Sequence, residues 1–288
     1  LFALPGVAWL SAFFLVPVYA VMAVAFGSVD PILRTAQPAW NPLDWDGAAM
    51  GDMVDRILGG DLWDVVWHTF AAVFLALAGC ILIGYPVAYF AARKASRSRG
   101  LLLACLVLPF WISYLMRMLA WTNLLQQDGY VNRVLQWLQL MDEPRNWLDG
   151  DWPTVLVGLI YGYVPFFILP LYSSLERLDG RLIEAGRDLG ASPLRTFLGV
   201  TLPLSVPGLM AASVITILPM CGDYYTNSYL TSGSPRTEMI GNQIEFLLRG
   251  TSRPQSGAAL VLLLMVVLFA LMLYYLVVTM REQRAALR

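Results

Sequence analysis

Apolar residues in this chain gather into long runs, near residues 4–27, 66–92, 101–125, 153–175, 204–222 and 257–280. Each comes close to the roughly 20 residues that a helix needs to cross the hydrocarbon core of a bilayer. Only helices and closed barrels can span, because the backbone must satisfy its own hydrogen bonds where no water is present. Ten-residue blocks of strict apolar/polar alternation are absent, which argues against a barrel. The pattern predicts an all-α integral membrane protein with six transmembrane helices, forming a single transmembrane domain over residues 1–288. The first run is too long for a signal-peptide core and reads as a retained span. The sequence opens in mid-pattern at Leu1, which predicts a short N-terminal tail ahead of it.

Composition agrees with the pattern. The chain is 58% hydrophobic and 14% charged, against roughly 25% charged residues in a soluble domain. Basic residues are unevenly shared among the connections. Segments 93–99 (Arg93, Lys94, Arg97, Arg99), 176–203 (Arg177, Arg181, Arg187, Arg195) and the tail (Arg281, Arg284, Arg288) carry 11 basic and 5 acidic residues. Segments 28–65, 126–152 and 223–256 carry 7 basic and 15 acidic residues. The positive-inside rule places the first group, and with it both termini, in the cytoplasm. The external 28–65 segment, with PAWNPLDWDG at its centre, predicts a small cap or interfacial helix. Trp40, Trp45, Trp63 and Trp67 suit the headgroup zone there. Gly158 and Gly162 form a GxxxG pair in the fourth run, a spacing that lets another helix come close.

One stretch breaks the apolar rule. Glu176 to Pro203 holds eight charged residues in 28 positions and cannot span. Leu178, Leu182, Ala185 and Leu189 share one helical face. Gly190 supplies a C-cap, Ser192 an N-cap, and Pro193 the first helical position. Leu194, Phe197 and Leu198 form a second apolar face, and Leu202-Pro203 is expected to end that helix and turn into the fifth span. Two short amphipathic helices meeting at a glycine bend suit either a groove on another protein or the lipid surface.

The spacing Glu184, Ala185, Gly186, then Gly190, then Val200, Leu202 and Pro203 resembles the EAA loop of ABC-importer permeases. That pattern is Glu-Ala-Ala, three residues, Gly, nine residues, Ile, any residue, Leu-Pro. Every interval is kept, with Gly186 for the second Ala and Val200 for Ile. The resemblance implies a type I ABC importer permease fold. It also implies that Glu184, Ala185, Gly186, Asp188, Gly190, Ser192, Leu202 and Pro203 form a coupling segment that docks on a separate ATPase. LPFWISYLMRMLAWTNLLQQDGYVN (108–132), FFILPLYSSLERLDGRLIEAGRDLGAS (166–192), LPMCGDYYTNSYLTSG (218–233) and MIGNQIEFLL (239–248) are similar to spermidine/putrescine-type permeases. Polyamines or related small cationic solutes follow from that similarity. The partners it implies are a second homologous permease subunit, two ATP-binding subunits and an extracytoplasmic solute-binding protein. The setting is a bacterial inner membrane. A same-fold permease for an anion, a sugar or a phosphonate is the alternative, and beyond it a scaffold or receptor that transports nothing.

The residues give no enzyme a foothold. GxxxxGK[ST] does not occur, and the only Lys, Lys94, follows Arg93, so ATP and Mg belong to a partner and no cofactor is expected in this chain. HExxH and Cys–His nucleophile pairs are absent, no metal site is expected, and Cys80, Cys105 and Cys221 read as small packing residues. His68 opens the second span as an interfacial anchor.

Ionisable residues within spans are costly and so draw functional attention. Arg117 is expected in a structural ion pair. Asp223, beside Tyr224, Tyr225 and Asn227 and after Pro219, joins a carboxylate to aromatic faces, a combination that suits an amine cation. Trp111, Tyr114, Asn123, Tyr161 and Tyr163 are further candidates for a solute pathway.

Overall fold

The computed structural model describes residues 4–32, 35–95, 99–250 and 253–286, with only the backbone described at Gly250, Val278 and 281–286. Leu1, Arg97 and Arg288 lie outside the described residues, and nothing is shown of the Arg281 and Arg284 side chains. Among the described residues, five helices are long and apolar enough to cross a membrane, or six if one sharply bent pair counts as a single span. The chain divides into two compact units, residues 1–69 with 238–273 and residues 70–237 with 274–288.

The first unit opens with α1 (Leu4–Ala25), which keeps most of its side chains on the outside, as a helix solvated by lipid can. The connection after it holds an antiparallel pair, β1 (Ser28–Val29) with β2 (Ala36–Gln37), and then α2 (Ala48–Leu58). Trp45 stacks on Phe26 with ring centroids 5.0 Å apart and donates its indole N–H to the Ala39 carbonyl at 2.9 Å. Trp40, Trp63 and Trp67 stay exposed. Met53 of α2 is fully buried with Leu62, Ile240, Leu247, Ala259 and Leu260. These come from the start of α3 (Trp63–Arg93) and from α12 (Ile240–Glu245) and α13 (Pro254–Ala286), with their flanks. Thr69 accepts the Ile240 backbone N–H at 2.8 Å, so a polar side chain closes a ladder gap inside the unit.

In the second unit the third apolar run is not one straight helix. It forms α4 (Arg99–Val107), a tight turn over Leu108–Trp111, and α5 (Tyr114–Leu125), with a 91° bend across the pair. Pro109 removes a helical donor. Ile112 is extended (φ −97°, ψ 133°), and Ser113 restarts the helix as N-cap by accepting the Met116 N–H. After α6 (Tyr130–Trp137), α7 (Trp152–Arg177) is the most enclosed span, with 56% of its most apolar stretch buried. It runs beside α10 (Leu202–Cys221) and also meets α5 and α11 (Tyr225–Leu230). Gly158 and Gly162 explain the closeness to α11 and α5. A Cβ at Gly158 would come within 2.7 Å of Thr226 Cγ2 and closer still to Leu230, and one at Gly162 within 2.7 Å of the Tyr114 hydroxyl. The GxxxG pair is thus a contact face toward α11 and Tyr114.

Candidate functional site

The charged stretch folds as α8 (Gly180–Asp188) and α9 (Pro193–Thr196) around a glycine turn. Asp179 caps α8 by accepting the Arg181 N–H at 2.9 Å. At the other end Ala191 N–H reaches the Gly186 carbonyl at 3.2 Å, and Gly190 N–H reaches Arg187 at 2.9 Å. This pair of bonds is a Schellman closure, and it needs the left-handed backbone that Gly190 adopts at φ +82°. Ser192 then caps α9, accepting the Arg195 N–H at 3.3 Å, with Pro193 at the first helical position. The expected glycine bend between two short helices, with its caps at Gly190 and Ser192, is present, whereas Leu178, expected on the face of the first helix, instead ends α7 in extended conformation ahead of the Asp179 cap.

The expected stop at Leu202-Pro203 does not occur. The chain widens into a π-turn over Phe197–Thr201 and continues directly into α10. The wider turn makes room for the Pro203 ring and absorbs its missing N–H, so the proline does not end the helix. Gly186 lies toward α9. A Cβ there would sit 3.4 Å from Thr196 and 3.5 Å from Val200, ordinary contact. Thr196 is buried, whereas Glu184, Asp188, Leu182, Leu189, Leu194 and Leu198 face outward. Among the described residues, these leucines leave an exposed apolar ridge flanked by charges.

A second cluster forms at the end of α10. Asp223 is only 5% exposed. Its carboxylate accepts the Tyr114 hydroxyl at 2.8 Å, the Thr226 N–H at 3.1 Å and the Thr226 hydroxyl. The Tyr114 oxygen also lies 2.7 Å from the Thr226 hydroxyl. Four residues later Asn227, fully buried, accepts the hydroxyls of Thr231 and of Thr237, the latter at 2.7 Å. A buried carboxylate survives only when its lone pairs are occupied, and here hydroxyl and amide donors occupy them.

The aromatic candidates divide. Tyr225 stacks on Tyr224 at 4.1 Å and approaches Tyr114 at 6.0 Å, so both adjoin the cluster. Tyr163, 5.9 Å from Tyr114, adjoins it too. Tyr161 packs edge-on to Trp121 at 5.3 Å, in the apolar cluster that also includes Tyr225. Trp111 is 83% exposed and Asn123 spends its amide on the Leu119 carbonyl, so neither joins the Asp223 group.

Arg117 is buried, yet no carboxylate pairs with it among the described residues. Its guanidinium instead lies over the rings of Phe110 and Tyr114, at 5.2 and 5.0 Å. The expected ion pair is replaced by stacking, because the bend at Ile112 brings Phe110 back toward α5. Thr226, Thr231 and Thr237 were missed in the sequence, where threonines scattered through a mixed segment give no signal. The one available hint was Thr226 three residues after Asp223, the spacing of a side-chain cap.

Residues 81–284 match the family described as "Binding-protein-dependent transport system inner membrane component". The chain is 37% identical to the spermidine/putrescine transport system permease protein PotB of Escherichia coli over 194 residues, covering 67% of this chain and 70% of that one. It is 35% identical to the protein of that name from Haemophilus influenzae over 250 residues, covering 83% and 80%. Its fold matches a crystal structure of a bacterial ABC transporter involved in the import of the acidic polysaccharide alginate. The TM-score there is 0.71 at 20% identity, over 97% of this chain and 94% of that one. An outward-facing charged elbow between spanning helices, together with a family match that takes in every residue of it, leads to one conclusion: the chain belongs to the inner-membrane permeases of ABC importers, as a transport subunit and not a catalytic one.

Proposed function

We propose that this permease carries polyamines, putrescine or spermidine, or related small cationic solutes, and that ATP hydrolysed on a separate subunit drives it. The observation that carries the coupling half is the elbow 180–196 with the turn that follows it, whose Leu182, Leu189, Leu194 and Leu198 are exposed although apolar. A surface of that kind suits a cleft on an ATPase, with Glu184, Ala185, Gly186, Asp188, Gly190 and Ser192 shaping it. Leu202 and Pro203 carry the movement on into α10. In this reading both termini are cytoplasmic and ATP and Mg stay on the partner. A homologous permease completes the pore, and a solute-binding protein delivers from outside. The resemblance to PotB proteins supports the solute class.

The proposed pathway centres on Asp223, with Tyr114, Tyr224, Tyr225 and Asn227 around it, and Trp111, Arg117 and Tyr161 farther out. In the described conformation the Asp223 carboxylate is filled by Tyr114 and Thr226. A cation reaches it when those hydroxyls turn away, as in a gate that opens during the cycle. Arg117, buried without a carboxylate, supports a second reading in which the solute bears an anionic group.

Uptake into proteoliposomes holding the assembled transporter separates the readings. Putrescine and spermidine should compete with each other and an anion panel should not; competition by anions alone would replace the cation reading with the second one. Glu184→Arg should abolish co-purification of the ATPase while the chain still inserts, and retained co-purification would count against docking through the elbow. Asp223→Asn should lower cation uptake more than basal ATP hydrolysis, whereas equal loss of both would assign Asp223 to folding.

A further inference from the structure

An elbow tethered only by its two ends could absorb a push by swinging. The contacts on its flanks show how it is held. Tyr85, Tyr89 and Arg93 are spaced i, i+4 and i+8 along α3 and so lie on one face of its last turns. At the start of the elbow, Arg93 donates from Nη2 to the Leu178 carbonyl at 2.6 Å. Leu178 is the residue at which α7 stops, in extended conformation (φ −66°, ψ 132°). Its carbonyl is one of the acceptors that a helix C-terminus leaves without an internal partner, and a guanidinium also offsets the negative end of the helix dipole. At the exit of the elbow, the Phe197 ring meets both tyrosines edge-on, Tyr85 at 5.6 Å and Tyr89 at 5.8 Å. The Tyr85 hydroxyl, buried, lies 2.7 Å from the Ser205 hydroxyl of α10. One turn back from the start, Arg99 of α4 pairs with Glu176 and lies over the Tyr172 ring at 5.1 Å.

We propose that the Tyr85–Tyr89–Arg93 face of α3 is a grip that holds the start and the exit of the elbow together, so that a displacement of α8 by the ATPase moves α3 with α7 and α10. These three are positioning residues. Their hydrogen bonds and ring contacts described above go to Leu178, Phe197 and Ser205, and they act by denying the elbow a hinge at Leu178 and another at the Phe197–Thr201 turn. The two attachments sit two helical turns apart on one stiff element, about 12 Å at 1.5 Å per residue. The push is therefore carried as a rotation of a rigid body instead of being lost in a loop. The inference rests on the reading of 180–196 as the ATPase-docking segment.

Hydrogen exchange by mass spectrometry on the assembled transporter in nanodiscs, with and without ATP and vanadate, tests it without needing the solute. In the natural protein, nucleotide should change exchange both in the peptide covering 180–192 and in the peptide covering 85–95. In the Tyr89→Leu/Arg93→Met variant the response in 180–192 should persist, while the response in 85–95 should shrink about tenfold. The conservative Tyr89→Phe/Arg93→Lys variant, which keeps an aromatic edge and a cation, should restore it. Co-purification of the ATPase with all three proteins guards against misfolding. A response in 85–95 that survives in the double variant, or that is missing from the natural protein while 180–192 responds, would overturn the grip. No response in 180–192 of the natural protein would overturn the docking reading itself, and the grip with it.

Discussion

Two glycines four residues apart in the elbow should respond to the same substitution with opposite sign. Gly190 sits at φ +82° with open space where a Cβ would go, so the cost of Gly190→Ala is purely conformational. A left-handed conformation costs a residue with a Cβ roughly 1–2 kcal/mol. Gly186 has helical backbone, and an added Cβ would touch Thr196 and Val200 at 3.4 and 3.5 Å without displacing them. There Gly186→Ala should gain about 0.8–1.0 kcal/mol from helix propensity alone. It also restores the residue that the EAA pattern carries at this place.

Hydrogen exchange of the 180–192 peptide reads the local opening equilibrium directly, with no need for global unfolding to be two-state. Since 1.4 kcal/mol is tenfold, Gly190→Ala should speed protected exchange by roughly five- to thirtyfold and Gly186→Ala should slow it by roughly fivefold. Gly190→Asn should fall between the natural protein and the alanine variant, because asparagine tolerates the left-handed region better than alanine. The amide of Ala191, bonded to the Gly186 carbonyl, is the most direct reporter. Equal shifts for the two alanine variants, or no change on Gly190→Ala, would refute the Schellman closure as what fixes the bend.

Two further perturbations probe the buried cluster. Gly162→Ala places a Cβ 2.7 Å from the Tyr114 hydroxyl, and overpacking of this kind costs about 1–3 kcal/mol. It should lower the detergent melting temperature and, by pushing Tyr114 off Asp223, be partly relieved in a Tyr114→Phe background; full additivity would mean that the two residues do not share this contact. Arg117→Met should leave stability, followed by thermal unfolding in detergent, within about 1 kcal/mol of the natural protein, since among the described residues no carboxylate is stranded when the guanidinium goes. A large loss would reveal an acidic partner.

How much of this was legible in the sequence depends on the kind of signal. The spans were, because a bilayer demands unbroken apolar length and the chain supplies it; predicted and observed ends differ mostly by a few residues at helix starts such as Trp63 and Pro254. The fifth span is the exception, since the helix already runs from Pro193. The elbow was legible because Gly190, Ser192 and Pro193 each act locally on their own backbone. Pro203 misled because its effect depends on what its neighbours do: a π-turn upstream let the helix carry on through it. The bend at Ile112 had local markers in Pro109 and Ser113, but the length of the surrounding apolar run masked them. Hardest of all were the partners of Asp223 and Arg117. Tyr114 lies 109 positions from Asp223, and no periodicity along one segment encodes a contact of that span.

The bend, the glycine pair and the buried acid are best understood as one construction. A carboxylate buried as Asp223 is, just past the end of an apolar helix, needs donors within reach. Thr226, in the next helix, supplies two. The third must come from another span. Breaking the third run at Ile112 makes Tyr114 the first residue of a new helix, and the missing Cβ of Gly162 leaves the ring room to cross α7. Each feature is costly alone: a broken helix strands backbone groups, a glycine weakens a helix, and a buried acid resists desolvation. Together each supplies what another lacks. The Tyr114 hydroxyl links α5 to Asp223 and α11, beside the Thr122 hydroxyl, which donates to the Tyr229 carbonyl at 3.0 Å. A cation that competed for Asp223 would release the Tyr114 hydroxyl while Thr122 and the packing of Met118 and Leu125 on Leu230 still held α5 to α11, so occupancy of Asp223 would loosen this contact at its Tyr114 end alone.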